Sequence, residues 1–132
     1  MTMRPLVTDV DNTRLRGLMT TPAGRRKNRA MWLLVEKLNS ARIIKSAEVP
    51  PTIMTMNSRA ACWDSKSGKS WELSLVYPWN EKPAQGKVSI LSRLGVDLLG
   101  AMPGNQVELD DGTHVQIAFL AFQPEAERQF HR

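Results

Sequence analysis

The pair Pro50 and Pro51 divides the chain into two parts with different hydrophobic periods. Proline cannot continue a helix, and it holds the residue before it in extended conformations, so no regular element crosses this point. Before the pair, apolar residues recur every three or four positions, whereas after it they alternate with polar ones. The first pattern predicts helices and the second predicts strands. We therefore expect a helical arm at 1–45, a linker at 46–52 and a β-rich domain at 53–132.

The arm is predicted to hold two helices. Thr8 with Asp11 three positions later is typical of a helix N-terminus, and the TTPAG stretch at 20–24 ends this first helix. A second apolar stripe predicts a helix over 25–42, and its members are Met31, Leu34, Val35, Leu38 and Ala41. A short connection between two amphipathic helices favours an antiparallel hairpin.

Charge is distributed unevenly along the chain. Residues 1–45 carry a net charge of +7, and the remaining residues carry −2, although the whole chain has a net charge of +5. Four basic residues cluster at the predicted tip of the arm: Arg25, Arg26, Lys27 and Arg29. This asymmetry favours contact with an acidic surface or a nucleic acid, but a solvated helix face would carry the same charges.

The second part of the chain predicts four to six antiparallel strands. Trp71, Leu73, Leu75 and Tyr77 share odd parity, with Glu72 and Ser74 on the opposite side of the strand. Ala61 and Trp63 have the same parity, so all six are expected on one face of the sheet.

A hairpin is predicted around residues 110–112. A three-residue loop of Asp110, Asp111 and Gly112 pairs Val107 with Val115 and gives the glycine a left-handed position.

One short helix interrupts the strands. Ser92 is the predicted N-cap, Leu94, Leu98 and Leu99 form an apolar stripe, and Gly100 ends the helix. One short helix packed on one sheet face gives an α+β fold class.

Catalytic patterns are scarce. His114 lies on the polar side of its strand, His131 lies in the C-terminal tail, and neither has metal-ligand neighbours at a suitable spacing. Cys62, between Ala61 and Trp63 of a strand, is expected to be a buried, inert thiol. The sequence GKS at 68–70 lacks the preceding glycine of a phosphate-binding loop. We therefore predict no enzyme, no cofactor and no metal site.

Location and exposure follow from simpler features. The absence of an apolar run of about 18 residues, of a secretory leader and of a second cysteine predicts a cytoplasmic protein with no membrane contact. Among the four tryptophans, Trp79 follows Tyr77 and Pro78, precedes a polar loop and is the one that we most expect to be exposed.

Four segments, taken in order, resemble the GreA/GreB family of bacterial transcript-cleavage factors. They are TMNSR at 55–59, LVYP at 75–78, GVDLLG at 95–100 and FQPEA at 122–126, and the likeness extends over 4–127. The resemblance implies an FKBP-like C-terminal domain behind an N-terminal, short coiled-coil hairpin. It also implies a partner, the RNA polymerase core, to which the C-terminal domain docks beside the secondary channel.

The resemblance assigns polymerase docking to the short helix and its flanks. The residues implied are Ser92, Arg93, Leu94, Gly95, Leu98, Leu99 and Gly100. Two positions depart from the family pattern: Arg93 replaces the usual proline, and Asn105 replaces the usual aspartate.

The predicted tip of the arm departs further. Family members present two acidic residues there, which hold a catalytic magnesium, whereas TTPAGRRK at 20–27 contains no Asp or Glu. We therefore expect a polymerase-binding transcription regulator, favoured as a monomer, without transcript-cleavage activity. Two alternatives are a basic nucleic-acid-binding protein that acts through its arm and an FKBP-type prolyl isomerase.

Overall fold

The structure is a computed structural model that describes residues 4–22 and 29–128. Its N-terminal part runs through β1 (Leu6–Thr8), α1 (Asp9–Leu18), α2 (Arg29–Ser40) and β2 (Arg42–Ile44). Strands β1 and β2 pair in parallel, with Leu6 opposite Arg42, so both helices lie within the connection between the two strands. The sequence prediction missed this strand pair and placed Arg42 in the second helix. Three-residue strands are too short to produce a readable period.

The predicted helix signals are confirmed in part, since Met31 and Val35 of the predicted apolar stripe are only half-buried. Thr8 caps α1, because its hydroxyl oxygen accepts a hydrogen bond from the Asp11 backbone N–H at 3.0 Å. Leu34 and Leu38 of α2 are buried, and the Arg16 guanidinium of α1 donates to the Asn39 side chain at 3.1 Å. That contact agrees with an antiparallel arrangement of the two helices. Of the predicted basic tip, residues 25–27 lie outside the described residues.

The second part forms a five-stranded sheet around a short helix. Its elements are β3 (Arg59–Trp63), β4 (Ser70–Val76), β5 (Lys87–Ser89), α3 (Arg93–Leu98), β6 (Gln106–Glu108) and β7 (His114–Phe122). The strand order is β5-β4-β3-β7-β6. The result is an α+β fold with a mixed sheet.

The expectation of a purely antiparallel sheet is wrong at one edge. Strand β5 pairs in parallel with β4, through Leu75 opposite Val88. Two single helical turns, Pro78–Asn80 and Pro83–Gln85, carry the chain back before β5 begins. This return reverses the direction in which β5 enters the sheet.

The hairpin between β6 and β7 is as predicted. Val107 lies opposite Val115, and Gly112 has a φ of 90°. The backbone N–H of Leu109 donates to the Thr113 carbonyl at 2.8 Å and closes the three-residue loop.

The predicted face of β3 is wrong. Ala60 and Cys62 are buried, whereas Trp63 is exposed and Ala61 is half-buried. Cys62 lies opposite Trp71 and Ala60 opposite Leu73, so even positions of β3 share a face with odd positions of β4. The parity of one strand does not carry through an irregular turn to the next strand.

One apolar core joins the two parts. Its members include Val7, Leu15 and Leu34 from the N-terminal elements, Leu75, Leu98 and Ile117 from the sheet and α3, and Met54 and Ile90 from connecting segments. No helix within 4–22 or 29–128 is long and apolar enough to cross a membrane.

Candidate functional site

A network of hydrogen bonds fixes the corner between β5 and α3. The Ser92 hydroxyl donates to the Ser89 carbonyl at 2.7 Å, and its oxygen accepts from the Gly95 backbone N–H at 3.0 Å. The Ser89 hydroxyl oxygen in turn accepts from the Leu91 N–H at 3.0 Å. The predicted N-cap is therefore confirmed, and the start of α3 has one defined orientation on the sheet.

Arg93 is the exposed charged residue of this corner. Its guanidinium lies 3.3 Å from the Asp97 carboxylate and 3.5 Å from the Glu108 carboxylate, and it donates to the Glu108 carbonyl at 3.2 Å. About 43% of its side-chain surface remains accessible. Exposed ion pairs of this kind contribute at most about 1 kcal/mol. The arginine thus bridges α3 and β6 while it stays available to a partner.

Most of the other predicted docking residues are buried in the core. Leu94, Gly95, Leu98 and Leu99 are buried, and Gly100 is half-buried with a φ of 82°. A methyl group at Gly95 would overlap the Ser89 carbonyl oxygen and approach the Ile90 Cα to 2.9 Å. These residues shape the corner, and only Ser92 and Arg93 bring side chains of the predicted set near its surface.

Helix α2 packs beside α3 and caps its C-terminal end. The Lys37 amine donates to the Val96 carbonyl at 2.6 Å, and it lies 3.4 Å from the Asp97 carbonyl. Burial lowers the pKa of Lys37 to about 8, while the Asp97 carboxylate acts in the opposite direction. The sequence prediction did not single out Lys37, since its partner lies 59 positions away and leaves no local signal.

A buried carboxylate joins α1 to the segment before β3. Asp11 is 2% exposed, and its carboxylate accepts from the Met56 backbone N–H at 2.9 Å. The pKa of Asp11 is raised to about 7, mainly by burial and to a lesser extent by the Glu125 carboxylate, whereas the Met56 hydrogen bond and Arg14 act to lower it. The local sequence indicates only a capping role for Asp11, because its burial depends on Met56, 45 positions away.

The exposed surface of the arm carries two notable residues. Arg29, the first residue of α2, is exposed, as the basic-arm prediction requires. Trp32, one turn later, is 70% exposed. Trp79 is 68% exposed, as predicted, and Trp32 is exposed to about the same extent.

Cys62 and His114, the described candidates for chemistry in the sequence, lie in different environments. Burial raises the pKa of the Cys62 thiol to about 11, so this buried cysteine stays protonated at neutral pH. His114 is exposed, and His131 lies outside the described residues. Within 4–22 and 29–128, no three His, Cys, Asp or Glu side chains lie close enough together to hold a metal ion.

The sequence is similar to a known protein family and to a protein from Escherichia coli. The profile of the family "Transcription elongation factor, GreA/GreB, C-term" matches residues 50–119. The chain is 31% identical over 125 residues to the "Regulator of nucleoside diphosphate kinase" of Escherichia coli K12, covering 92% of this chain and 91% of that protein.

Solved structures agree with the sequence relatives. A GreA/GreB elongation factor from Nitrosomonas europaea superposes with a TM-score of 0.79 at 27% identity, over 92% of this chain and all of that one. The GreA factor homolog 1 of Thermus thermophilus shares the fold, with a TM-score of 0.50 at 16% identity over 91% of this chain and all of that one. The chain therefore belongs to the GreA/GreB transcription elongation factor family.

Proposed function

We propose that the protein is a non-enzymatic transcription regulator that binds the RNA polymerase core near its secondary channel. Residues 53–132 act as an FKBP-like docking domain, and residues 1–45 act as a short coiled-coil arm. The corner at the start of α3 carries the proposal. It corresponds to the segment to which the family resemblance assigns docking, and Ser92 hydrogen bonds hold it in one orientation.

Arg93 is the proposed contact residue. It is exposed and belongs to the rigid start of α3, and its planar guanidinium is suited to carboxylates on a partner. The buried leucines and Gly95 support this surface from below and do not reach a partner.

Binding of the purified full-length protein to core polymerase, with Arg93→Gln as the variant, tests the proposal. The variant keeps a polar, though shorter, side chain and removes the charge, and we expect at least a tenfold loss of affinity, about 1.4 kcal/mol. Arg59→Gln is a matched control, because Arg59 is 48% accessible and pairs with Glu72 at 3.7 Å on the sheet. The control should bind like the wild type.

Two outcomes would contradict the proposal. A wild-type protein that does not bind polymerase would remove it altogether. Equal affinities of Arg93→Gln and Arg59→Gln would place the contact elsewhere. Thermal unfolding of both variants should remain within a few degrees of the wild type, as expected for exposed positions.

The basic arm defines the alternative function, nucleic-acid binding. Exposed Arg29 and the +7 charge of residues 1–45 favour it. Replacing Arg25, Arg26 and Arg29 with glutamine should reduce the salt dependence of binding to whichever partner the arm contacts. Tight binding of DNA or RNA without polymerase would support the alternative.

A further inference from the structure

A pocket with a volume of about 550 Å³ lies where α1 meets the segment before β3 and the turn after β4. This volume falls within the range of small-ligand and peptide sites. Arg14, Asn57, Tyr77, Trp79 and Asn80 contribute to its lining. None of these residues belongs to the docking corner at α3.

Two stacked aromatic rings form one wall. The ring centroids of Tyr77 and Trp79 are 5.1 Å apart, and their planes differ by 4°. Tyr77 is buried, whereas Trp79 is 68% exposed. The backbone N–H of Asn80 donates to the Tyr77 carbonyl at 2.9 Å and holds the intervening turn. One face of the indole is therefore fixed on tyrosine, and the other is open to a ligand.

Hydrogen-bonding groups surround this aromatic wall. The side-chain amides of Asn57 and Asn80 and the indole N–H of Trp79 make no hydrogen bond to another residue within 4–22 or 29–128. Asn57 is held with a φ of 66°, a left-handed conformation that asparagine tolerates better than most residues. Its backbone N–H donates to the Leu75 carbonyl at 2.6 Å, which holds the backbone of Asn57 against β4. These side chains carry N–H groups that can donate to the backbone carbonyls of a ligand.

The charge around the pocket argues against a phosphate ligand. Arg14 lines the pocket, but the carboxylates of Asp11 and Glu125 lie close enough to Tyr77 to raise the pKa of its hydroxyl. Burial is the larger cause of that rise, to about 12, and Arg14 opposes it. Among the described residues, one guanidinium beside two carboxyl groups leaves no strong positive potential. A neutral ligand therefore suits the pocket better than a nucleotide.

We propose that this pocket binds an extended, proline-containing segment of a partner protein. A polyproline II segment has a low cost of ordering, its pyrrolidine rings stack on aromatic faces, and its backbone carbonyls are left without internal partners. Trp79 supplies the face, and Trp79, Asn57 and Asn80 supply donors. The pocket and the docking corner use separate residues, so this binding does not depend on polymerase.

Titration of the ¹⁵N-labelled full-length protein with an end-blocked octaproline peptide tests the inference by NMR. The indole resonance that disappears in Trp79→Ala should shift with peptide concentration, and the indole resonance of Trp32 should not. Trp79→Ala should weaken binding at least tenfold. Trp32→Ala is the matched control, because Trp32 is equally exposed on α2, and it should bind like the wild type.

Three outcomes would overturn the inference. The first is no shift of the Trp79 indole resonance with up to millimolar octaproline or millimolar proline–leucine repeat peptide. The second is equal peptide affinities of Trp79→Ala and the wild type. The third is tighter binding of AMP or oligothymidylate than of either peptide. The last result would instead identify a nucleotide or single-stranded nucleic-acid site, since bases also stack on tryptophan. None of these titrations contains polymerase, so a negative result leaves the docking proposal unaffected.

Discussion

Gly95 is required for packing, whatever its part in docking. A Cβ there would overlap the Ser89 carbonyl oxygen, so α3 would have to move away from the strand beneath it. We expect Gly95→Ala to lower the free energy of unfolding by about 1–3 kcal/mol, measured in urea. Gly17→Ala is the control, because Gly17 lies exposed in α1 with no atom within 4 Å of a new Cβ. The control should be stabilised by about 0.5–1 kcal/mol, and a destabilised Gly17→Ala or a neutral Gly95→Ala would contradict this interpretation.

Asp11 makes stability depend on pH in an unusual direction. Its pKa rises from 3.8 to about 7 on folding, mainly through burial. Between these values the folded state binds the proton more tightly, so the stability due to Asp11 is complete below about pH 4 and is lost as the pH rises to about 7. Asparagine can still accept the Met56 N–H but does not ionise. We expect the wild type to lose on the order of 2 kcal/mol more than Asp11→Asn between pH 5 and pH 8.

The measurement is urea unfolding of both proteins across that pH range. Asp9 is a suitable second control, because it is exposed and its hydrogen bonds with Ser46 lower its pKa. Asp9→Asn should therefore keep the wild-type loss of stability above pH 5. Parallel curves for the wild type and Asp11→Asn would mean that the Asp11 carboxylate stays ionised when buried.

At the scale of elements, one amine connects α2 to α3. The Lys37 amine of α2 donates to the Val96 carbonyl near the C-terminal end of α3, a helix of six residues. Without the amine, this carbonyl would face α2 without its charged donor. We expect Lys37→Met to cost about 1–3 kcal/mol, because the buried Val96 carbonyl loses a charged donor. Hydrogen exchange of the α3 amides should accelerate more than that of β3 and β4. Glu36→Met, at an exposed neighbouring position, should change stability by less than about 0.5 kcal/mol, and α3 amides as protected in Lys37→Met as in the wild type would refute the role of Lys37.

At the scale of the whole molecule, the absence of acidic residues from 20–27 bears on activity. A magnesium ion at the tip of an arm needs carboxylate ligands. We expect the full-length protein to leave transcript cleavage in backtracked polymerase complexes at the intrinsic rate, with or without added magnesium. A family member that carries acidic tip residues is the positive control. Cleavage clearly above the intrinsic rate would show that carboxylates elsewhere in the chain reach the catalytic centre.

Local sequence determined those features whose energies are local. Thr8 and Ser92 cap helices with their own neighbours three positions away, and Gly112 takes the left-handed position that its loop requires. The burial of Leu34, Leu38 and Leu98 follows from stripes along single helices. Such interactions span a few residues, so a single sequence contains all the information that they need. The α+β class follows from the helical and strand-like patterns along the chain. The family resemblance follows from the order of the four motifs at 55–59, 75–78, 95–100 and 122–126.

The tertiary structure decided everything that depends on distant partners. The parallel pairs β1/β2 and β4/β5, the inward face of β3 and the contact of Lys37 with Val96 join residues whose spacing carries no periodic signal. The same holds for the candidate site, in which Arg93 meets Glu108 and Asp11 becomes buried against Met56. Burial and strand pairing are set by the whole fold, because a residue's surroundings depend on every element packed against it. The sequence by itself thus determined the main helices, the closing hairpin and the family, and only the folded chain decided how the short strands pair and which faces and charges remain at the surface.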